Sequence, residues 1–395
     1  MNIISIVFKK EIIDMFRDRK VLISSILIPL ILFPLLYGFM GKGMNKENKE
    51  VMENTKIALV EQEDSKFGEF LKNIENIEIV ESEDIQADLG ENNIYLSLTI
   101  PENFDESIND GNQGELEILY DNTSTKSTMA YNIIQEYIRS YSDQIVTKRL
   151  DEKGIDTSIL TPISIKEESL VKEEEGMGKM MLAMLLPMLL VIYCATGPLP
   201  AATDLGAGEK ERGTLEPLLT TQANRFSLLW GKFFAITVMG VMTAIASLIG
   251  ILIAIKQNPE MFGELGNGMA LGFEPQVFVF IAIITILMTM TFGALELAIS
   301  IYARSFKEAQ TYLTPITMIG MFASFGSFMV DGKNIPVYFF ALPVVNGSAA
   351  LKQLALGIVN YTNIGITIGF MLIYVLASIL FARYMFSREN VIFRT

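Results

Sequence analysis

The chain has 395 residues, half of them apolar, and its 31 Lys and Arg against 45 Asp and Glu give a formal net charge of −14. It has no His and one Cys, which excludes His-based catalytic triads and metal sites, internal disulfides and Cys-based zinc clusters. The acidity argues against nucleic-acid binding, and a mean hydropathy of +0.37 is too high for an ordinary soluble protein of this length.

An amphipathic helix is predicted for residues 1–20. One side would carry Ile4, Val7, Phe8, Ile12, Met15 and Phe16, and the other Lys9, Lys10, Asp14, Arg17 and Asp18. Apolar residues at this spacing are typical of a helix that lies in the membrane interface. Packing against another domain is the alternative.

A first membrane span is predicted at residues 21–42, because Val21 to Met40 is free of charge and long enough, at about 30 Å as a helix, to cross a bilayer.

The acidic residues are concentrated in the segment that follows this span. Residues 43–178 hold 12 Lys and Arg against 31 Asp and Glu, a net charge of −19, whereas the rest of the chain has a net charge of +5.

The acidic block 43–178 has the pattern of an α/β domain inserted between spans 1 and 2. Short β-prone stretches lie at 56–60, 77–80, 94–100 and 116–120, and 124–150 shows helical spacing of its apolar residues. Residues 166–178 are predicted to form a charged linker that returns to the membrane.

Five further spans are predicted within residues 179–395, at about 180–203, 233–255, 275–303, 309–330 and 364–382. We therefore expect an α-helical membrane protein with six transmembrane helices. An apolar run at 334–351 is interrupted by Pro and Gly, so an outer re-entrant segment at about 334–358 is expected, with a seventh span as the alternative.

The placement of basic residues predicts the orientation in the cell membrane. Lys and Arg are concentrated in the first 20 residues, in the loops after spans 2 and 4, and in the tail. Since such residues favour the cytoplasmic side, both termini are expected in the cytoplasm and residues 43–178 outside it.

A charged motif lies in the loop after span 2. Glu209-Lys-Glu-Arg-Gly-Thr-Leu-Glu-Pro-Leu-Leu is followed downstream by Gly231-Lys232. It resembles the signature of type-2 ABC exporter permeases. Lys9-Lys-Glu-Ile-Ile-Asp-Met-Phe-Arg, with Pro29 beyond it, resembles the amino-terminal signature of the sodium-efflux-type branch of that family. The resemblance covers essentially the whole chain.

The resemblance implies that the chain is the membrane subunit of an ATP-driven exporter, with sodium ions as one candidate substrate. The subunit would lie in membrane lipids and work as a homodimer or heterodimer of permeases. A separate ABC ATPase would bind ATP, while this chain would hold no cofactor and would not itself be an enzyme. In agreement, the sequence has no G-x-x-x-x-G-K-[ST] phosphate-binding loop. The resemblance also implies which residues couple this chain to the ATPase, namely Glu209, Glu211, Arg212, Gly213, Thr214, Leu215 and Glu216. Leu215 and Leu218 would fill a groove on the ATPase. Arg17 and Arg19 of the amino-terminal helix would lie near the same subunit.

Glu296 is an acid inside an otherwise uncharged predicted span. Thr285, Thr289 and Glu296 would share one helical face, where a carboxylate and two hydroxyls could form a cation path. The structural alternative is that Glu296 pairs with Lys232 or Arg304, or reaches the interface. Lys232, near the start of its span, could extend to the interface as well.

The residues by themselves are also compatible with two functions other than ATP-driven export. An ATP-independent secondary transporter or channel predicts internal repeats, and no convincing repeat is present. A membrane-anchored binding or sensor protein would act through residues 43–178, but it leaves five further spans unexplained.

Overall fold

The computed structural model describes residues 3–61, 64–163, 166, 168, 173–220, 224–258, 274–328 and 330–392. The chain divides into two compact units. The first comprises Met1–Gly38 with Ser169–Thr395, and the second comprises Phe39–Glu168. We predicted the boundaries of the inserted domain at 43 and 178.

The chain begins with α1 (Ile3–Arg17), whose buried side is Val7, Glu11 and Met15. Asp18 then caps the short α2 (Arg19–Leu22) by accepting hydrogen bonds from two backbone amides. A π-helical turn (Ile23–Leu27) leads into α3 (Ile28–Glu53).

The second unit contains a four-stranded mixed sheet. Its elements are β1 (Thr55–Glu61), α4 (Lys66–Lys72), β2 (Ile77–Ile79), α5 (Ile85–Gly90), β3 (Leu96–Ile100), α6 (Phe104–Asn109), β4 (Glu117–Tyr120) and α7 (Thr125–Glu152), then a 3-10 turn (Thr157–Leu160). The strand order is β2-β1-β3-β4; β1 is parallel to β2 and β3, and β4 is antiparallel to β3. All four strands overlap the stretches predicted from sequence. Their inner side chains pack with Phe67 of α4 and with Ala130 and Ile134 of α7.

The remaining helices belong to the first unit. They are α8 (Glu173–Thr196), α9 (Leu199–Thr203), a π-helical turn (Asp204–Gly208), α10 (Glu209–Glu211), α11 (Leu215–Thr220), α12 (Arg225–Gln257), α13 (Pro275–Tyr302), α14 (Phe306–Phe328), a 3-10 turn (Val337–Ala341), α15 (Val345–Ala355), α16 (Tyr361–Ser387) and α17 (Glu389–Ile392). Of the predicted linker 166–178, residues 167 and 169–172 lie outside the described part of the chain.

Five helical stretches are long and apolar enough to cross a membrane, judged among the residues that the structure describes. They are Arg19–Phe39, Leu182–Glu211, Arg225–Gln257, Pro275–Tyr302 and Tyr361–Ser387. They overlap predicted spans 1, 2, 3, 4 and 6. Helix α14, at the position predicted for span 5, is not one of the five. Polar residues such as Gln310, Thr311 and Thr314 lower the hydropathy of its first half, although Ile319 and Phe322 are exposed further along.

The two largest apolar cores among the described residues of the first unit join most of its helices. One joins α8, α13, α15 and α16, and the other joins α1, α9, α12 and α13 with Leu205 of the π-helical turn. Helices α13 and α16 pack along each other, and α1 packs against α12. The predicted re-entrant region forms the 3-10 turn and α15, and α15 is buried from Asn346 to Ala355.

Candidate coupling site

Helix α1 approaches α12 closely at Gly231. A Cβ atom on residue 231 would lie 2.6 Å from Cγ1 of Val7 and 3.2 Å from the carbonyl oxygen of Ile4. Any side chain at position 231 would collide with the backbone of Ile4 and the packed β-branched side chain of Val7, so glycine is needed here. The glycine of the Gly231-Lys232 pair is therefore required for the close packing of α1 against α12.

Lys232, the next residue, is completely buried and paired with two carboxylates. Its Nζ lies 2.5 Å from Oε2 of Glu209 and 3.6 Å from Oε1 of Glu11, and it donates to the carbonyl oxygen of Leu205 at 3.1 Å. Both carboxylates are buried as well. Buried charges are stable only when they are paired, so this cluster joins α1, α10 and α12.

The position of Lys232 corrects two expectations. We expected it to extend to the membrane interface or to pair with Glu296, but it turns inward to Glu209 and Glu11. Burial without a carboxylate would be costly for a lysine, and the two acids supplied by α1 and α10 remove that cost.

Lys10 closes the same cluster from its exposed side. Its Nζ lies 3.2 Å from Glu11 and 3.6 Å from Glu209, and the side chain is 49% exposed. Burial by itself lowers the pKa of Lys10, but the neighbouring carboxylates of Glu11 and Glu209 outweigh it and raise that pKa above its ordinary value. Lys10 therefore stays charged.

Lys210 points away from Glu209 and holds the end of another helix. Its Nζ donates to the carbonyl oxygens of Ile301 and Ala303, both at 3.3 Å, and of Val391 at 2.6 Å. The first two lie at the carboxyl end of α13, where unpaired carbonyls and the helix dipole favour a cation. Lys210 thus ties α10 to α13 and α17.

Glu211 contacts the beginning of the next helix. Its Oε2 accepts a hydrogen bond at 2.7 Å from the amide of Phe306, the first residue of α14. An acidic group at a helix amino terminus is stabilised by the free amides and the dipole. Lys210 and Glu211 therefore hold the end of one long helix and the start of the following one.

Arg212 completes the run. Its Nη1 lies 2.6 Å from Oδ1 of Asp204 in the π-helical turn, and this hydrogen bond raises the pKa of the guanidinium further. Gly213 follows with φ of +68°, the left-handed conformation that often ends a helix. The Thr214 hydroxyl donates to the carbonyl of Glu209 at 3.1 Å and closes the turn.

Four consecutive charges thus contact four different parts of the same chain. We call Glu209, Lys210, Glu211 and Arg212 the charged hub. The resemblance implied that Glu209, Glu211 and Arg212 form ion pairs with an ATPase, but each of these side chains is already bonded within this chain. The hub therefore joins the loop to several helices; Glu209 is buried, whereas Glu211 and Arg212 are exposed and keep surface for a partner as well.

The other predicted coupling residues divide between buried and exposed. Leu215 is buried and Leu218 is half-buried, so Leu215 offers no surface to a groove on a partner. Gly213 and Thr214 are exposed, as are Arg17 and Arg19 at the junction of α1 and α2. Glu216 lies on α11, and its side chain is outside what the structure describes.

The predicted polar face of α13 is present and buried. Thr285, Thr289 and Glu296 are at most 6% exposed. The side-chain oxygens of Thr285 and Glu296 have no hydrogen-bond partner among the described residues, so neither Lys232 nor Arg304 is paired with Glu296 there. Within that part of the chain no three or more Cys, Asp or Glu come together as a metal site. The three residues remain candidates for a cation path without a formed binding site.

Sequence reasoning missed the charged partners of the hub, namely Lys10, Lys232 and Asp204. The available signal was the alternation of sign in Glu209-Lys-Glu-Arg, since adjacent charges on a short helix point in different directions. That pattern indicates several separate ion pairs better than one charged surface. Which helices supply the partners depends on packing.

Comparisons with known proteins find similarity over nearly the whole chain. The model of a family described as ABC-2 family transporter protein matches residues 19–384. The chain is 28% identical over 392 residues to the protein named ABC transporter permease protein NatB of Bacillus subtilis (strain 168), and the alignment covers 98% of each chain.

Proposed function

Because the chain belongs to the ABC-2 family of transporter proteins, we propose that it is the permease of an ATP-driven exporter and that the charged hub couples ATP hydrolysis to transport. It is a membrane transport subunit, and the ATPase activity lies on a partner subunit. The observation that carries the coupling proposal is the bonding of four successive hub residues to α12, α13, α14 and the π-helical turn.

The proposed mechanism starts at the exposed part of the loop. The ATPase would bind the surface around Gly213, Thr214 and α11, with Arg17 and Arg19 nearby. When ATP draws two ATPase subunits together, the loop would move, and the hub would pull α12 and the facing ends of α13 and α14 with it. Packed helices joined by buried ion pairs shift as units, which suits such a two-state movement.

The proposed membrane arrangement has six spans, with α14 as the fifth, both termini in the cytoplasm and the α/β unit outside. The exposed apolar face of α14, including Ile319, Phe322 and Phe325, supports its placement in the membrane. On α1, Ile6, Ile13 and Phe16 are exposed although the opposite side packs on α12, which supports an interfacial position. The functional unit would be a dimer of permeases.

Sodium is the substrate that we propose for testing first. The amino-terminal signature resembles the sodium-efflux-type branch, and the buried oxygens of Glu296, Thr289 and Thr285 are hard ligands of the type that sodium prefers. A carboxylate without a partner inside a span is costly, which supports a role in the path.

The test is reconstitution of the permease with its ATPase in proteoliposomes, followed by ATP-dependent movement of radioactive sodium. Transport with ATP and none without it supports the proposal, whereas sodium flux that needs no ATP would establish the secondary transporter or channel. Glu296→Gln is expected to abolish sodium movement while ATP hydrolysis continues. Unchanged flux in that variant removes Glu296 from the path.

The coupling role is tested with Lys210→Met, which frees the carboxyl end of α13 without touching the buried cluster at Lys232. We expect normal assembly with the ATPase but poor coupling, seen as less transport for each ATP hydrolysed. Lys307→Met is the matched control, because Lys307 is a nearby lysine on α14 outside the hub. An equal loss of coupling in both variants would contradict the role of the hub.

A further inference from the structure

A cavity of about 270 Å³ lies in the first unit where the turn before α15 meets α13, α14 and α16. Most of its wall is apolar and includes Met288, Phe292, Ile316 and Met371. Among the described residues that line it, none carries a charge. The size is near the lower end of ligand pockets, enough for part of an extended molecule.

Asn346 places an unpaired donor at this cavity. The residue is 1% exposed and lines the wall, and its Oδ1 accepts a hydrogen bond from the amide of Gly347 at 2.8 Å. This bond identifies the oxygen, so the other terminal atom is the amide nitrogen. That nitrogen has no acceptor among the described residues. Buried amide groups are nearly always satisfied, which points to an acceptor supplied by a ligand.

No polar group in the described wall, the hydroxyl of Ser378 included, accepts from that nitrogen. The hydroxyl of Thr291 turns to the carbonyl of Leu287, to which it donates at 2.9 Å, and the hydroxyl of Tyr374 donates to the carbonyl of Ala341. Asn346 also lies in the first turn of α15, an 11-residue helix whose dipole favours an acceptor at this end, although the backbone amides of that turn are already bonded. The polar end of the cavity therefore suits a hydrogen-bond acceptor.

The backbone here is held in an uncommon conformation. Val344 has φ of +67°, which β-branched residues rarely adopt. Gly347 fits tightly, because a Cβ atom there would overlap the terminal methyl groups of Met288 and Met371. The conformation of Val344 sets the turn that places Asn346 at the cavity, and Gly347 packs against the two methionine methyl groups.

The cavity opens among exposed apolar side chains. Ile319, Pro343 and Ala377 line it and are exposed, and Ala377 lies in the apolar helix α16. A ligand that enters there comes from an apolar medium. A carboxylate or phosphate would be brought into an uncharged site, which is unfavourable.

We propose that this cavity binds the carbonyl end of a neutral acyl ester. The ester carbonyl accepts the hydrogen bond from Nδ2 of Asn346, and the acyl chain lies along Met288, Phe292 and Met371. The ester belongs either to a bilayer lipid or to a free amphiphile. The site does not depend on the proposed transport function.

Photo-crosslinking of the full permease in phosphatidylcholine nanodiscs tests the site. Three diazirine probes are compared: a fatty-acid methyl ester, an alkane of equal length, and a phosphatidylcholine with the diazirine in its acyl chain. We expect mass spectrometry to find labels on peptides 343–346 and 371–378, and unlabelled methyl ester to compete while unlabelled alkane does not. Labelling by the phosphatidylcholine probe assigns the bilayer as source, and labelling by the methyl ester alone assigns a free amphiphile. Equal labelling and competition by the alkane would overturn the proposal.

Two variants separate the site from general contact with lipid. Asn346→Asp keeps the oxygen that accepts from Gly347 and removes the amide donor, so labelling by the ester is expected to fall about 5-fold, the equivalent of about 1 kcal/mol for one hydrogen bond. Ala377→Phe fills the opening and is expected to abolish the labelling. Ala282→Phe is the matched control, because Ala282 is exposed on α13 away from the cavity. Labelling that persists in Ala377→Phe, or is lost equally in Ala282→Phe, overturns the proposal whether or not the Asn346 variant folds.

Discussion

Replacing Lys232 by Met tests whether the buried cluster holds the amino-terminal helix and the hub together. The substitution keeps the length and apolar part of the side chain but removes the cation. Glu11 and Glu209, which lie 3.6 and 2.5 Å from Nζ, would then remain buried with only the half-exposed Lys10 nearby.

The expected cost is large because both carboxylates are buried. Removing one partner of a buried ion pair typically costs about 3–5 kcal/mol, since the remaining charge is left without compensation. Lys10→Met is the matched control. Lys10 contacts the same two carboxylates but is 49% exposed, so its loss should cost about 1 kcal/mol or less.

The assay is the free energy of unfolding of the purified permease in mixed micelles. It is measured for the wild type, for each lysine variant, and for Lys232→Met combined with Glu209→Gln. Because the second change removes one of the stranded acids, we expect the double variant to recover about 1–3 kcal/mol relative to the sum of the single variants. If the two lysine variants cost the same, or if the effects of Lys232→Met and Glu209→Gln simply add, the cluster does not have the role that we assign to it.

Three further outcomes are expected. Glu211→Gln weakens the charged cap on α14 and should lower the free energy of unfolding by about 0.3–1 kcal/mol, and an unchanged value would show that this cap is unimportant. Arg212→Met leaves Asp204 without its cation, so we expect lower transport per ATP hydrolysed, with assembly measured by co-purification unchanged; normal coupling would contradict this. In the second unit, the hydrogen bond from Lys126 holds the pKa of Glu50 below its ordinary value. That contribution is present above the ordinary pKa and is lost as pH falls through the lowered one, so the cost of Lys126→Met should be largest near about pH 6 and should shrink steadily as the pH is lowered, as measured by unfolding over a series of pH values.

The sequence by itself determined the segregation of the molecule into an apolar frame and an acidic insertion. Long uncharged runs have few stable solutions other than membrane-spanning or deeply buried helices, so five of the predicted spans overlap apolar helices. The four strands were readable because short β-prone stretches alternated with turn residues and helical spacing. Local pattern and local structure coincide in these elements.

Tertiary structure decided the function of individual charges. Residues 209–212 look like a solvated surface in sequence, because charge on a loop is usually exposed. The partners that bind them come from α1, the π-helical turn, α12, the end of α13, the start of α14 and α17, at separations of about 8 to nearly 200 residues along the chain. Sequence carries no information on such distant pairs without the packing that brings them together.

The same reason explains Asn346 and Val344. A sequence shows an Asn before a Gly, and both are common in turns. Only the packing of α15 against α8, α13 and α16 buries that amide beside a cavity and leaves one of its donors unpaired. Composition and periodicity thus determined that the chain is a membrane protein and where its helices run, whereas the burial of single polar groups, which carries the proposed coupling and ligand site, was decided by the contacts between helices.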